Sequence, residues 1–256
     1  MTETEPLLVQ TDPQPTLTPR GMPLVLMYHA VADVAEDPNQ LAVTPQRFHA
    51  QMRFLRRLGL RGVGVAELVD AMRARRHRGL VGITFDDGYA GVLDYALPVL
   101  SRYGFSATVF VVSERLGATN DWDSGPVWPL LDATGVKELA TAGLEIGSHS
   151  ANHVRLAGLA PDLLREEVRS SRDGLGALLE APPRGFAYPY GSMDAAARAA
   201  VADAGYGYAC AVDAPRSGLG LMALPRMYVG QRDNALRLFG KRLLYRGHVT
   251  RRGDVS

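Results

Sequence analysis

The stretch "GLVGITFDDGYAGVLDYALPVLSRYGFSATVFVV", Gly79 to Val112, reads as strand, helix, strand. Leu80 to Phe85 is an apolar, β-rich run, the segment from Val92 to Gly104 carries a helical pattern with Pro98 inside it, and Ser106 to Val112 is apolar again. Strands joined through a helix run parallel, in a right-handed crossover. At the end of the first strand stand Asp86 and Asp87, followed by Gly88. Adjacent carboxylates repel, and a strand end gains little stability from them. Such pairs usually share a cation or divide a chemical task.

Working outward, the alternation continues. "PLVLMYH" (Pro23 to His29) is the first strand. The helix that follows has Thr44 as N-cap, Pro45 at N1, apolar spacing at Phe48, Met52 and Leu55, and an end at Gly59. "GVAELVDAMRARR", "GVKELATAG", "APDLLREEVRSSRDGLGALLE", "SMDAAARAAVADAG" and "NALRLFGKRLLY" read as further helices. "LEIGSHS", "GFAYPYG", "YGYACAV" and "ALPRMYV" read as strands or strand ends. Roughly seven such units predict one parallel (β/α) barrel rather than two doubly wound domains. In parallel barrels the chemistry sits at the C-terminal strand ends, which is where His29, Asp86, Asp87, His149, Tyr188 and Tyr190 fall.

Composition narrows the function classes. Of 256 residues, 46% are hydrophobic and 21% charged, and with a formal net charge of only +1 nothing argues for a nucleic-acid surface. The single cysteine, Cys210, excludes an internal disulfide and reads as an inert core residue. Residues 1–21 are polar and rich in Pro and Thr; they are expected to be a disordered leader and do not read as a signal peptide. No apolar run reaches the roughly 18 residues of a membrane span, and the expected location is the cytoplasm. Residues 22–246 form the expected single domain and 247–256 a basic tail. The long irregular stretch from Glu114 to Gly135 holds both tryptophans, Trp122 and Trp128, and is expected to be a lid or binding loop.

"GSHSANH" places His149 and His153 four apart, so that on a helical turn both imidazoles reach one ion. With one aspartate they make a three-ligand site with open positions, and the other aspartate is then free to act as base. "RGFAYPYG" adds Arg184, which can pair with a carboxylate, and a backbone N–H near Tyr190 that can hold an oxyanion. Each motif alone has a plainer reading: two unrelated loop histidines, an acidic turn with Gly88 at positive φ, and aromatic packing. His49, His77 and His248 lie in helical, charged or tail contexts.

"TFDDG", "HSANH" and "RGFAYPYG", in that order and spacing, resemble the polysaccharide deacetylases of carbohydrate esterase family 4, over roughly residues 22–230. The resemblance implies a distorted (β/α)7 barrel that hydrolyses N-acetyl, sometimes O-acetyl, groups on sugars such as N-acetylglucosamine polymers or glycoconjugates. It also implies a divalent metal, zinc first, with cobalt, nickel or iron(II) as alternatives. Carried over by motif, Asp86 is the base, Asp87 the metal ligand with His149 and His153, Arg184 the group that orients Asp86, and the Tyr190 N–H the oxyanion donor. Trp122, Trp128 and Tyr188 are expected to touch substrate. The chain departs from the family at Ala187, where many members carry arginine. It also lacks the C-terminal Leu-x-x-His-Asp motif and the later Asp/Trp motif, "YGYACAVDAPRSG" standing in the latter's region. "LMYH" resembles a branch in which an N-terminal histidine, here His29, supplies the general acid. Two other readings are hydrolysis of a small N-acyl substrate and a binding-only barrel. An unligated base beside a metal speaks against the last.

Overall fold

The computed structural model describes residues 23–212 and 220–251, with side chains as far as residue 243. Ten strands occur among them: β1 (Val25–Tyr28), β2 (Ala30–Val31), β3 (Ala42–Val43), β4 (Arg61–Val63), β5 (Leu80–Phe85), β6 (Thr108–Val111), β7 (Glu145–Ser148), β8 (Gly185–Ala187), β9 (Tyr208–Val212) and β10 (Leu224–Tyr228). The helices are α1 (Pro45–Arg57), α2 (Val65–Arg73), α3 (Leu97–Tyr103), α4 (Ala133–Thr141), α5 (Pro161–Leu179), α6 (Ala195–Asp203) and α7 (Ala235–Arg251).

Seven strands close on themselves in the order β1-β10-β9-β8-β7-β6-β5 and back to β1, every pairing parallel. This is the expected (β/α)7 barrel. β4 attaches to the first half of β5, Val63 opposite Gly82, on the edge that β6 takes over at Thr84. Three short strands escape the sequence reading: β2, β3 and β4. Two or three residues are too few to show a period.

Local chemistry explains the helix boundaries. Thr44 Oγ1 accepts a hydrogen bond from the Arg47 N–H (3.2 Å), capping α1 behind Pro45. Phe48, Met52 and Leu55 bury one face of α1, and the Phe48 ring lies 5.3 Å from Tyr28 and 5.6 Å from Phe85, fastening β1 to β5. The helix expected across residues 92–104 is divided. Val92–Ala96 winds as a π turn before α3 starts at Leu97. Pro98 has no N–H to give the Asp94 carbonyl, so the regular ladder cannot pass through it. Gly104, at φ +63, ends α3.

α7 runs to Arg251, past the domain boundary expected at residue 246. The expected leader, residues 1–21, and the last residues of the tail, 252–256, lie outside the described residues. Among the described residues no helix is long and apolar enough to cross a membrane.

Candidate metal centre

The chain turns sharply where β5 ends. Asp87 (φ +70) and Gly88 (φ +77) are both left-handed. A β-carbon added to Gly88 would lie 3.0 Å from Val111 Cγ1, so the turn needs glycine for conformation and for space. For Asp87 the same conformation is a strain of about 1 kcal/mol or more, the kind that persists where surrounding contacts hold it.

Those contacts are His149 and His153. Asp87 Oδ1 lies 3.3 Å from His149 Nε2 and 3.2 Å from His153 Nε2, and all three side chains are buried. One ligand atom from each falls within 4.8 Å of the others. His149 Nδ1 is 2.8 Å from the Ala187 carbonyl; donating there fixes the ring and turns Nε2 toward Asp87. Two imidazoles and a carboxylate are a donor set for zinc or a similar divalent ion, with coordination positions left for substrate and water. The residues fit such an ion.

The two histidines do not share a helical turn, contrary to the sequence expectation. Ser150 (φ +64) and His153 (φ +61) are left-handed, and the loop doubles back after β7. Ser150 Oγ accepts from the His153 N–H (3.0 Å). The buried Glu167 of α5 accepts from the Ala151 and Asn152 N–H groups (3.1 and 2.9 Å) and pins the loop from beneath. The sequence reading of this helix, α5, did not single out Glu167.

Burial pushes the Asp87 carboxyl up, but the bonds from His149 and His153 bring it well below the carboxylate range. Burial pulls both imidazoles down. In His149 the facing Asp87 and Asp86 carboxylates more than offset this and raise it, whereas His153 stays lowered. A cation binding here competes with the proton on these nitrogens.

Asp86 is buried beside this cluster, and its partner corrects the sequence reading. Arg226 of β10 grips it with both ends of the guanidinium, Nη1 to Oδ1 at 2.5 Å and Nη2 to Oδ2 at 2.7 Å. Nη1 also donates to Thr84 Oγ1 (3.1 Å), and the guanidinium lies 5.5 Å from the Phe110 ring centre. Burial raises the Asp86 carboxyl, yet Arg226, His149 and His29 together hold it below its ordinary range. Arg184, expected to orient Asp86, instead binds Asp70 in an exposed bidentate pair (2.9 Å each). The reason is topological. Arg184 precedes β8, while the acids follow β5, and in a parallel barrel those are opposite ends. The guanidinium that pairs with Asp86 comes from another strand, β10, through Arg226. One signal for it was legible: a lone arginine inside the apolar run "ALPRMYV".

The other expected residues divide. His29 directly follows β1, half-buried, with Nδ1 out of solvent and without a protein hydrogen-bond partner. Its charge bears on both Asp86 and Asp87, and its ring is 6.4 Å from Tyr228. Tyr190 (φ +56) stands beside His153, ring centres 4.6 Å apart, and its hydroxyl donates to Asp123 (3.0 Å). The neighbouring Gly191 and Ser192 N–H groups close the turn, leaving the Tyr190 N–H outside that bonding. Trp122 lies over His153 at 4.3 Å. Trp128 is one side chain further out, edge-on to Tyr89 at 5.5 Å. Tyr188 does not reach the site. It is fully buried with Phe186 and Tyr206 or their neighbours, and its hydroxyl donates to the Met222 carbonyl (2.9 Å). Alternation along an extended segment would put residues two apart on one face, but the left-handed turn at Tyr190 breaks the run, and the two rings part. Cys210 is buried in β9, its thiol pushed up to about 12 by burial, an inert core residue.

The family model for polysaccharide deacetylase matches residues 73–209, more than half of the chain. The chain belongs to the polysaccharide deacetylase family. Among its relatives is YxkH of Bacillus subtilis, which is named for the same family and is 29% identical over 218 residues, 84% of this chain and 73% of that protein. The poly-beta-1,6-N-acetyl-D-glucosamine N-deacetylase of Staphylococcus epidermidis is 24% identical over 60% of this chain and 55% of its own length. Among solved structures, IcaB from Ammonifex degensii superposes with a TM-score of 0.74 at 25% identity, covering 86% of this chain and 96% of that one. As a polysaccharide deacetylase, the chain has its matched segment begin in α2 and end in β9. That segment contains the Asp87, His149 and His153 cluster but neither His29 nor Arg226.

Proposed function

We propose that this deacetylase removes acetyl groups from the nitrogen of N-acetylated sugars, on an N-acetylglucosamine-type oligosaccharide, polysaccharide or glycoconjugate, with a divalent metal, zinc first, held by Asp87, His149 and His153. The observation that carries this reading is the convergence of those three ligands beside an ionised, Arg226-clamped Asp86. The name of the Staphylococcus epidermidis relative supports the substrate class.

When bound, the cation supplies Lewis acidity, making water more acidic and the acyl carbonyl more electrophilic. Asp86 takes the proton from the attacking water, its orientation fixed by Arg226. The Tyr190 N–H receives the charge that develops on the acyl oxygen. His29 gives a proton to the leaving nitrogen, because an amine anion is a poor leaving group. Trp122 screens His153 and offers an aromatic face to the sugar.

The test is acetate release from N-acetylglucosamine oligomers, measured against a panel of small N-acyl compounds, with and without chelator. Release from the oligomers, stopped by chelator and restored by metal, is expected; release from the small compounds alone would remove the carbohydrate assignment.

Two variants probe the roles. His29→Ala should lower kcat on an amide by about 10²-fold, and much less on an aryl acetate, whose leaving group needs no proton. Its metal content should stay that of the wild type. Equal losses on amide and ester would discard the general-acid role. Trp122→Ala should raise KM more than it lowers the melting temperature. An unchanged KM would take the loop's first tryptophan out of the site.

A further inference from the structure

A cleft opens between two loops outside the metal centre. One, residues 32–41, joins β2 to β3; the other is the segment 118–130. They touch where Asn39 Nδ2 donates to the Ser124 carbonyl (3.2 Å). Gly125, at φ +137, permits this approach, since an added Cβ would lie 3.3 Å from Asn39 Nδ2. Between the loops is a cavity of about 560 Å³. A second, of about 250 Å³, continues toward β2 and the π turn. Trp128 lines both, and the half-exposed ring of Tyr95 borders the second. Trp128 packs on Tyr89, two residues from Asp87, so the cleft adjoins the metal centre.

Its charge is one-sided. Glu36 lines one cavity and Asp94 the other, both exposed, and among the described residues no lysine or arginine lines either. An N-acetylated sugar is neutral and draws nothing from two carboxylates. Removal of the acetyl group leaves an ammonium, which does. The aromatic rings serve either sugar by apolar contact.

We propose that this cleft is a second carbohydrate subsite, selective for glucosamine units that have already lost their acetyl groups. It rests on the carbohydrate reading above. The enzyme then holds a partly processed chain by its cationic product units while the next unit occupies the metal centre. Because the carboxylates are solvated, the preference is modest and weakens with salt.

Calorimetric titration of the metal-loaded wild type compares a glucosamine hexamer with a neutral glucose hexamer of the same linkage, neither of which has an acetyl group to lose. The glucosamine hexamer should bind more tightly, and added salt should erase the difference. The double variant Glu36→Gln/Asp94→Asn should weaken glucosamine binding about fivefold, the size of two exposed ion pairs, and leave the glucose hexamer unaffected. Trp128→Ala should weaken both. Unchanged glucosamine binding in the double variant, or equal weakening of both oligomers, would overturn the proposal. A protein that shows the charge-dependent binding but frees no acetate from N-acetylated oligomers would sink the deacetylase reading and leave the cleft standing.

Discussion

Asp86→Asn should stop turnover and leave the metal in place, whereas Asp87→Asn should lose the metal and activity together. The two residues are neighbours in sequence and nearly isosteric with their replacements, so the contrast isolates chemistry from packing. Asp87 faces both imidazoles through a single oxygen. Its amide cannot offer the anionic ligand that the site supplies, and His149→Ala or His153→Ala should behave in the same way. Asp86 faces Arg226, and its amide can no longer take a proton from water, a loss of about 10²- to 10⁴-fold. Elemental analysis beside acetate release reads both. Metal lost from the Asp86 variant and kept in the Asp87 variant would reverse the assignment. Metal affinity should also fall as pH drops, because the cation and the proton compete for the same imidazole nitrogens.

Arg226→Leu should be the most destabilising single change at the site, by about 3–5 kcal/mol, because it leaves a buried carboxylate without its counter-charge. Both partners are out of solvent, with side chains 0% and 4% exposed. Removing both, in Asp86→Leu/Arg226→Leu, should recover much of that stability with no activity, since the penalty belongs to the orphaned charge. Arg184→Ala breaks an ion pair of the same bidentate form at the surface and should lose no more than about 1 kcal/mol, with kcat unchanged. Urea unfolding and acetate release on the three variants give the comparison. If Arg184→Ala lowered kcat as far as Arg226→Leu, the orienting role would return to Arg184.

Sequence alone determined the barrel, because each strand long enough to pass through the core had to be apolar along its length and each covering helix had to bury one stripe. It also placed the candidate ligands at the C-terminal strand ends. Asp87, His149 and His153 are tied to strand ends by a few residues of chain, so local position nearly fixes where they arrive. Tertiary structure decided what comes from afar. Arg226 meets Asp86 only because ring closure brings β10 beside β1, and β1 beside β5. Glu167 reaches the histidine loop only because α5 packs under it. Arg184 looked right by motif and was wrong by topology, since it enters its strand at the end remote from the acids. Tyr188 and Tyr190, two apart in an apolar motif, separated into a core residue and a site residue once the left-handed turn at Tyr190 was formed. Spacing in the chain fixes a partner only within a turn or two of backbone. Beyond that, which side chain faces which is set by the register and order of the strands between them.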